Sequence, residues 1–324
     1  MTPVSTPNRF GLAISLKLAA VFIFMVMSAL IKTASETVPP GEAVFFRSAC
    51  ALPVIALWLW QRGQLRDGLR ANNILGHVWR GLFGTTAMGL TFAGLGLLPL
   101  PEVTAIGYAT PMFTVIFAAV FLGERIRLIR VSAVVLGLIG VLIVIAPRLS
   151  LDGGTMDNPA RLGVLFVLTA SIMRALVQIH VRKLVQTDHT AAIVFYFSVT
   201  ASALALTTLP LGLALPHPAL SWVWPSSNAI ELLVLAGVLG GVAQIMVTSS
   251  YRFAGVSVLA PFDYASMIFA SLIGYLVFAE LPTGSMIFGA LLVTVGGVLI
   301  IWRERALGIE TRKSKKTTAP QGAP

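Results

Sequence analysis

PLPEVTAIGYATPMFTVIFAAVFLGERIRLIR, residues Pro99–Arg130, is the stretch whose reading decides the fold. Between a Pro-rich approach and an abrupt Gly-Glu-Arg stop lies the largely apolar run Val103–Gly123. It has about the twenty residues that a helix needs to cross a hydrocarbon core. A second stretch, GVSVLAPFDYASMIFASLIGYLVFAELP (Gly255–Pro282), repeats the pattern. Tyr108 precedes Glu124 by the same interval that separates Tyr264 from Glu280, and the two copies stand 156 positions apart. Two copies of one membrane-length element predict a duplicated membrane protein.

Composition agrees. Of 324 residues, 56% are hydrophobic and 11% are charged, whereas a soluble domain carries about 25% charged residues. With so little polar surface, the natural solvent of the chain is lipid. The net charge of +10 does not point to nucleic acid, because six of the 23 Lys and Arg fall between Arg303 and Lys316. Most of the others occupy short gaps between apolar runs, as expected of a membrane protein held by positive charge on one side. The single Cys50 allows no intrachain disulfide. The four His residues show no metal-ligand spacing, and no P-loop is present. An enzyme is therefore not expected, nor a cofactor or a metal.

Outward from the deciding stretch, ten apolar runs have spanning length: Gly11–Ile31, Ala43–Trp60, His77–Leu98, Val103–Gly123, Ile129–Ala146, Leu162–Val181, Ala191–Leu213, Ala229–Thr248, Val256–Ala279 and Met286–Trp302. Main-chain groups in lipid must be satisfied within the segment, which predicts an all-α integral membrane protein with ten transmembrane helices. The first run lacks a small-residue cleavage site and reads as a retained helix, not a signal peptide. Arg62, Arg66 and Arg70, then Arg125, Arg127 and Arg130, then Arg182, Lys183 and Arg252 all fall on one side if the N-terminus is cytoplasmic. Lys32, Arg148 and Arg161 fall on the other. This bias predicts both termini inside.

The irregular stretch APRLSLDGGTMDNPAR divides the runs into two sets of five. An odd number per set inverts the second set relative to the first. The expected organisation is a tail over 1–10, a five-helix repeat over 11–146 and a connection over 147–161, followed by a second repeat over 162–302 and a basic tail over 303–324. At the offset of 156, Gly81, Gly84, Tyr108, Ala109, Phe113, Glu124 and Gly140 meet Gly237, Gly240, Tyr264, Ala265, Phe269, Glu280 and Gly296.

Charged groups at membrane depth are costly and mark functional positions by default. Arg174 lies deep in the sixth run and Asp263 part-way into the ninth. They suit either an ion pair fixing helix register or the two poles of a zwitterionic substrate. Gln178, one turn beyond Arg174, and Gln244 in the eighth run offer uncharged donors and acceptors, or hydrogen bonds between helices. Tyr108 and Tyr264 are candidate aromatic walls of a central cavity. Arg47, near the end of the second run, is a candidate gate residue or a snorkelling anchor. Glu124 and Glu280 oppose the dipole at their helix ends. Each therefore needs a partner, and both are candidate gate clasps. Arg125 and Arg127 lie beside Glu124, while Glu280 has no local base. Gly237 with Gly241, and Ala270 with Gly274, allow close helix approach.

Two five-helix halves, each with a Pro-containing fourth helix ending near Glu, resemble the EamA family of the drug/metabolite transporter superfamily. The motifs are LPLPEVTAIGYATPMFTVIFAAVFLGER and AGVSVLAPFDYASMIFASLIGYLVFAELP. The resemblance covers Gly11 to Trp302. It implies an inner-membrane carrier with a central site between the halves, working by alternating access on amino acids, nucleobases, vitamins and similar metabolites. FFRSACALP, HVWRGLFGTTAMGL and LLPLPEVTAIGYATP are similar to the riboflavin-transporter branch, and the APFDY motif to S-adenosylmethionine carriers as well. The expected partners are a small-molecule substrate and the lipid bilayer, without nucleic acid; a monomer and a homodimer both remain open. Riboflavin uptake leads, with export of amino acids or related metabolites and S-adenosylmethionine transport as alternatives. A non-transporting membrane scaffold or sensor is the reading from another class.

Overall fold

A computed structural model describes residues 7–122, 128–149, 159–184, 187–214, 221–253 and 259–299. Glu124, Arg125, Arg127, most of the connection between the halves and the basic tail from Arg303 lie outside the described residues. Every regular element among the described residues is helical: α1 (Pro7–Ala34), α2 (Pro40–Ala49), α3 (Ala51–Gln61), α4 (Leu65–Gly68), α5 (Ile74–Leu97), α6 (Leu100–Gly107), α7 (Ala109–Leu122), α8 (Leu128–Leu149), α9 (Pro159–Leu184), α10 (Thr190–Leu206), α11 (Thr208–Ala214) and α12 (Ser227–Phe253). A 3-10 turn over Ala260–Tyr264 then leads into α13 (Ala265–Phe278), and α14 (Gly284–Leu299) follows.

Six helices are long and apolar enough to cross a membrane: Gly11–Ala34, Pro40–Gln61, Leu100–Phe117, Pro159–Val181, Ala191–Ala214 and Ser227–Val247. Val131–Pro147, Phe262–Phe278 and Gly284–Leu299 are apolar but shorter. Leu142, Ile268, Leu276, Ile287 and Leu291 point outward and are more than half exposed. An apolar exterior of this extent is solvated by lipid. The chain is a multi-pass membrane protein.

Three runs that read as continuous spans are broken, for one chemical reason. The helical hydrogen-bond pattern is interrupted for one residue at Cys50, Tyr108 and Thr207, which keep helical dihedral angles, and in each case proline follows three residues later, as Pro53, Pro111 and Pro210. Proline has no N–H to return to the carbonyl four residues back, and its ring crowds that carbonyl. The unmatched carbonyls are those of Ala49, Gly107 and Leu206, the residues just before each break.

The pairings recur at the 156-residue offset. α1 packs on α12 as α9 packs on α5, and α2 packs on α12 as α10 packs on α5. A Cβ on Gly81 would strike Thr200, and one on Gly237 would strike Cys50 and the Phe46 carbonyl. Most telling is the crossing of α8 and α14. A Cβ on Gly140 would lie 2.6 Å from the Gly289 carbonyl oxygen, and one on Gly296 would lie 2.7 Å from that of Ala133. Gly296 and Gly289 are the counterparts of Gly140 and Ala133, so the contact maps onto itself when the halves are exchanged.

Candidate functional site

Tyr108 is the joint between α6 and α7, and the Tyr264 ring stands 5.1 Å from it, tilted by 59°. The two counterpart tyrosines thus meet each other. The Tyr108 hydroxyl bonds the Ser266 hydroxyl and donates to the Tyr264 carbonyl at 3.2 Å. Tyr264 is seated against α14: a Cβ on Gly297 would lie 1.3 Å from its hydroxyl oxygen. The pair joins the two halves by packing and hydrogen bonding at the middle of the bundle.

Asp263, at the turn before α13, does not pair with Arg174. Its carboxylate meets the Lys17 ammonium of α1 at 2.7 Å. The Lys17 side chain is 4% exposed and that of Asp263 is 51% exposed. A half-exposed carboxylate between apolar helices has to face water, because lipid would exact a large desolvation penalty. Lys17 was missed in the sequence because it lies close to the start of its run. Its signal was present all the same: a cation within GLAISLKLAAVFIFM.

Arg174 is held on α9, where its only described hydrogen bond is a long one, 3.5 Å, to Ser171 Oγ. Its terminal nitrogen lies 3.5 Å from the position a Cβ on Gly107 would take, beside the α6–α7 joint. Gln178 accepts from the Thr114 hydroxyl at 3.0 Å, tying α9 to α7. Gln244 is elsewhere, in an apolar hollow with Ile55, Trp58, Ala191, Val194 and Ile245. Arg47 does not snorkel: it is 7% exposed and packs where Gly240 leaves room. Arg80, passed over near the start of the third run, lies over the Phe197 ring at 4.4 Å and donates to the Ile193 carbonyl at 3.2 Å.

Glu280 finds the partner that its neighbours in sequence do not supply. Lys32 of α1 reaches it at 2.9 Å and also donates to the Leu95 and Leu98 carbonyls at the end of α5. The second Glu280 oxygen accepts from the Leu100 N–H at 2.9 Å. Pro99 leaves α6 without a side-chain cap, so a carboxylate from the segment just after α13 caps it. Ala279, at φ 53°, turns the chain so that Glu280 folds back over Gly274 and Pro101. At the other end of the bundle, Asp188 accepts from the Asn72 N–H and meets His77 at 3.6 Å. His180 bonds the Gly76 carbonyl there at 3.0 Å. Among the described residues no group of three or more His, Cys, Asp or Glu is arranged to hold a metal ion.

Several known proteins are similar to this chain along most of their length. The pseudopaline exporter of Pseudomonas aeruginosa is 27% identical over 285 residues, covering 88% of this chain and 94% of its own. The riboflavin transporter of Vibrio cholerae is 27% identical over 281 residues, 86% of each chain. The S-adenosylmethionine uptake transporter of Rickettsia prowazekii is 26% identical over 262 residues, 81% of each chain. A crystal structure with 22% sequence identity shares the fold at a TM-score of 0.63, over 91% of this chain and 98% of its own. The model of the EamA-like transporter family matches twice, over residues 11–146 and 161–302. The two matches reach from the first helix past the last described one, and the chain belongs to that family of transporters.

Proposed function

We infer that the chain is a secondary carrier that moves a small polar metabolite across the bacterial inner membrane by alternating access. It is read as ten spans in two inverted five-helix repeats, over 11–146 and 162–302, with both termini cytoplasmic. The observation that carries this reading is the self-mapping contact of α8 with α14, Gly140 on Gly289 and Ala133 on Gly296. Two halves related in this way supply two equivalent gates around one centre, as alternating access requires. The central residues are then Tyr108, Tyr264, Asp263, Arg174 and Gln178, with Gln244 an outlying candidate. Glu280 and Lys32 form the clasp at one end, and Glu124 is the corresponding candidate in the other half.

Riboflavin is the first substrate to test, supported by the riboflavin-branch motifs and by the Vibrio cholerae relative at 27% identity. A riboflavin auxotroph expressing this chain is expected to grow on limiting riboflavin and to accumulate labelled vitamin. Absence of rescue with the protein confirmed in the membrane would remove riboflavin. Export is the second reading, favoured by likeness to the pseudopaline exporter. It predicts efflux of a preloaded metabolite and no uptake. Arg174→Ala and Asp263→Ala are each expected to cut transport at least tenfold at normal expression, and wild-type rates in both would displace the central site.

A further inference from the structure

We propose that the central site receives an anion, so that the transported molecule carries a carboxylate or phosphate group bound by Arg47, Arg80 and Arg174. This rests on the carrier reading and narrows its substrate class. The three arginines lie on α2, α5 and α9, and α5 packs against both of the others. Their depths can be read from the packing. Val44 rests on Gly89 of α5, and Arg47 is the next turn of α2. Val167 rests on Gly94, and the α5–α9 contacts at Gly76 with His180, Gly94 with Val167, and Leu98 with Gly163 run antiparallel. Counting two turns back along α5 puts Arg174 level with Ala87, roughly 10 Å along the axis from Arg80 at 1.5 Å per residue. Arg47 and Arg80 stand on helices packed against each other and carry like charge.

None of the three meets a carboxylate among the described residues. The ion pairs seen among the described residues include Lys17 with Asp263, Lys32 with Glu280 and His77 with Asp188. Arg47 makes no hydrogen bond among the described residues, and the Nε atoms of all three arginines are buried without partners. The hydroxyls of Ser48, Thr85 and Thr110 are buried and unpartnered as well. The three arginine Nε–H groups are therefore donors without an acceptor among the described residues. A guanidinium offers only donors, and one left uncompensated away from water is costly: Arg47 is 7% exposed, while Arg80 and Arg174 are partly buried. Arginines kept for helix register would be given an acid from a neighbouring segment, as Lys17 and Lys32 are. An anionic oxygen group from the substrate satisfies the nitrogens and balances the like charges, with the planar geometry that arginine matches best.

The test uses the full-length purified chain, in detergent for binding and in proteoliposomes for counterflow. The probes are succinate and flavin mononucleotide as anions, with succinamide and riboflavin, which carry no ionised group, as neutral counterparts. Wild-type protein is expected to be stabilised by at least one anionic probe, with its neutral counterpart at least tenfold weaker. Arg47→Gln and Arg80→Gln should abolish that preference, while Arg80→Lys keeps part of it and reports that the fold survives. Counterflow of the same anion supports both inferences. Anion-dependent stabilisation without counterflow leaves the anion site standing and overturns the carrier. Counterflow of neutral probes alone, or no stabilisation by any anionic probe, overturns the anion site. Glutamine variants that keep wild-type anion selectivity overturn it too.

Discussion

Two ion pairs join α1 to the segment around α13, and they are built differently. Lys32–Glu280 is enclosed, with side chains 16% and 17% exposed, and further bonds to three main-chain groups are made around it. Lys17–Asp263 is lopsided: the lysine is sealed and the carboxylate is half in water. Fifteen residues of α1 separate the two lysines, about 22 Å of helix. One pair closes an end of the bundle and caps α6 at the same time. The other leaves one partner facing solvent, where a ligand or a proton can reach it. Similar distances therefore hide unequal settings: both partners of the first pair are enclosed, and only the lysine of the second is.

The comparison can be broken most easily at the enclosed pair. Glu280→Ala leaves Lys32 buried without its counter-charge and α6 uncapped, an expected loss of about 3 kcal/mol or more. Thermal unfolding in detergent should show it as a large fall in Tm, and Lys32→Ala with Glu280→Ala together should cost less than the sum of the single changes. Gly140→Leu comes next. It forces a side chain into the 2.6 Å approach to the Gly289 carbonyl, and an expected cost of about 1–3 kcal/mol should follow from overpacking. Tyr108→Phe removes the hydroxyl bonded to Ser266 and Tyr264, an expected loss of about 1 kcal/mol. Asp263→Asn keeps an oxygen on the Lys17 ammonium but removes its counter-charge, so Tm should fall by less than in Glu280→Ala, and transport should stop. A Tm loss as large as that of Glu280→Ala would make the two pairs alike.

Much of the architecture was legible in the sequence. Apolar run lengths identify a helical membrane protein, with six described helices of spanning length, and the repeated Tyr identifies counterpart positions that meet as the Tyr108–Tyr264 pair. The helix breaks were legible in principle through Pro53, Pro111 and Pro210, because proline acts locally. The ion pairs were not. Lys17 with Asp263 and Lys32 with Glu280 are each joined across more than 240 positions of chain, and no local pattern encodes that distance. Run-end position was a poor guide to exposure: Arg47, expected to snorkel, lies buried, and Arg80, passed over, is held against Phe197. Depth along a helix does not reveal which neighbour covers the side chain.

The prolines bear on how such a bundle can change shape. Bending a continuous helix in lipid breaks a main-chain bond that no water is there to replace. At Cys50, Tyr108 and Thr207 that bond is missing before any motion starts, because its donor was never made. A half-helix swinging about these residues forfeits nothing further at the joint. Two of the three joints touch groups discussed above, since Arg47 precedes Cys50 by less than one turn and Tyr108 carries the ring pair. Shape change and ligand contact can thus share the same few residues, without a separate linkage between them.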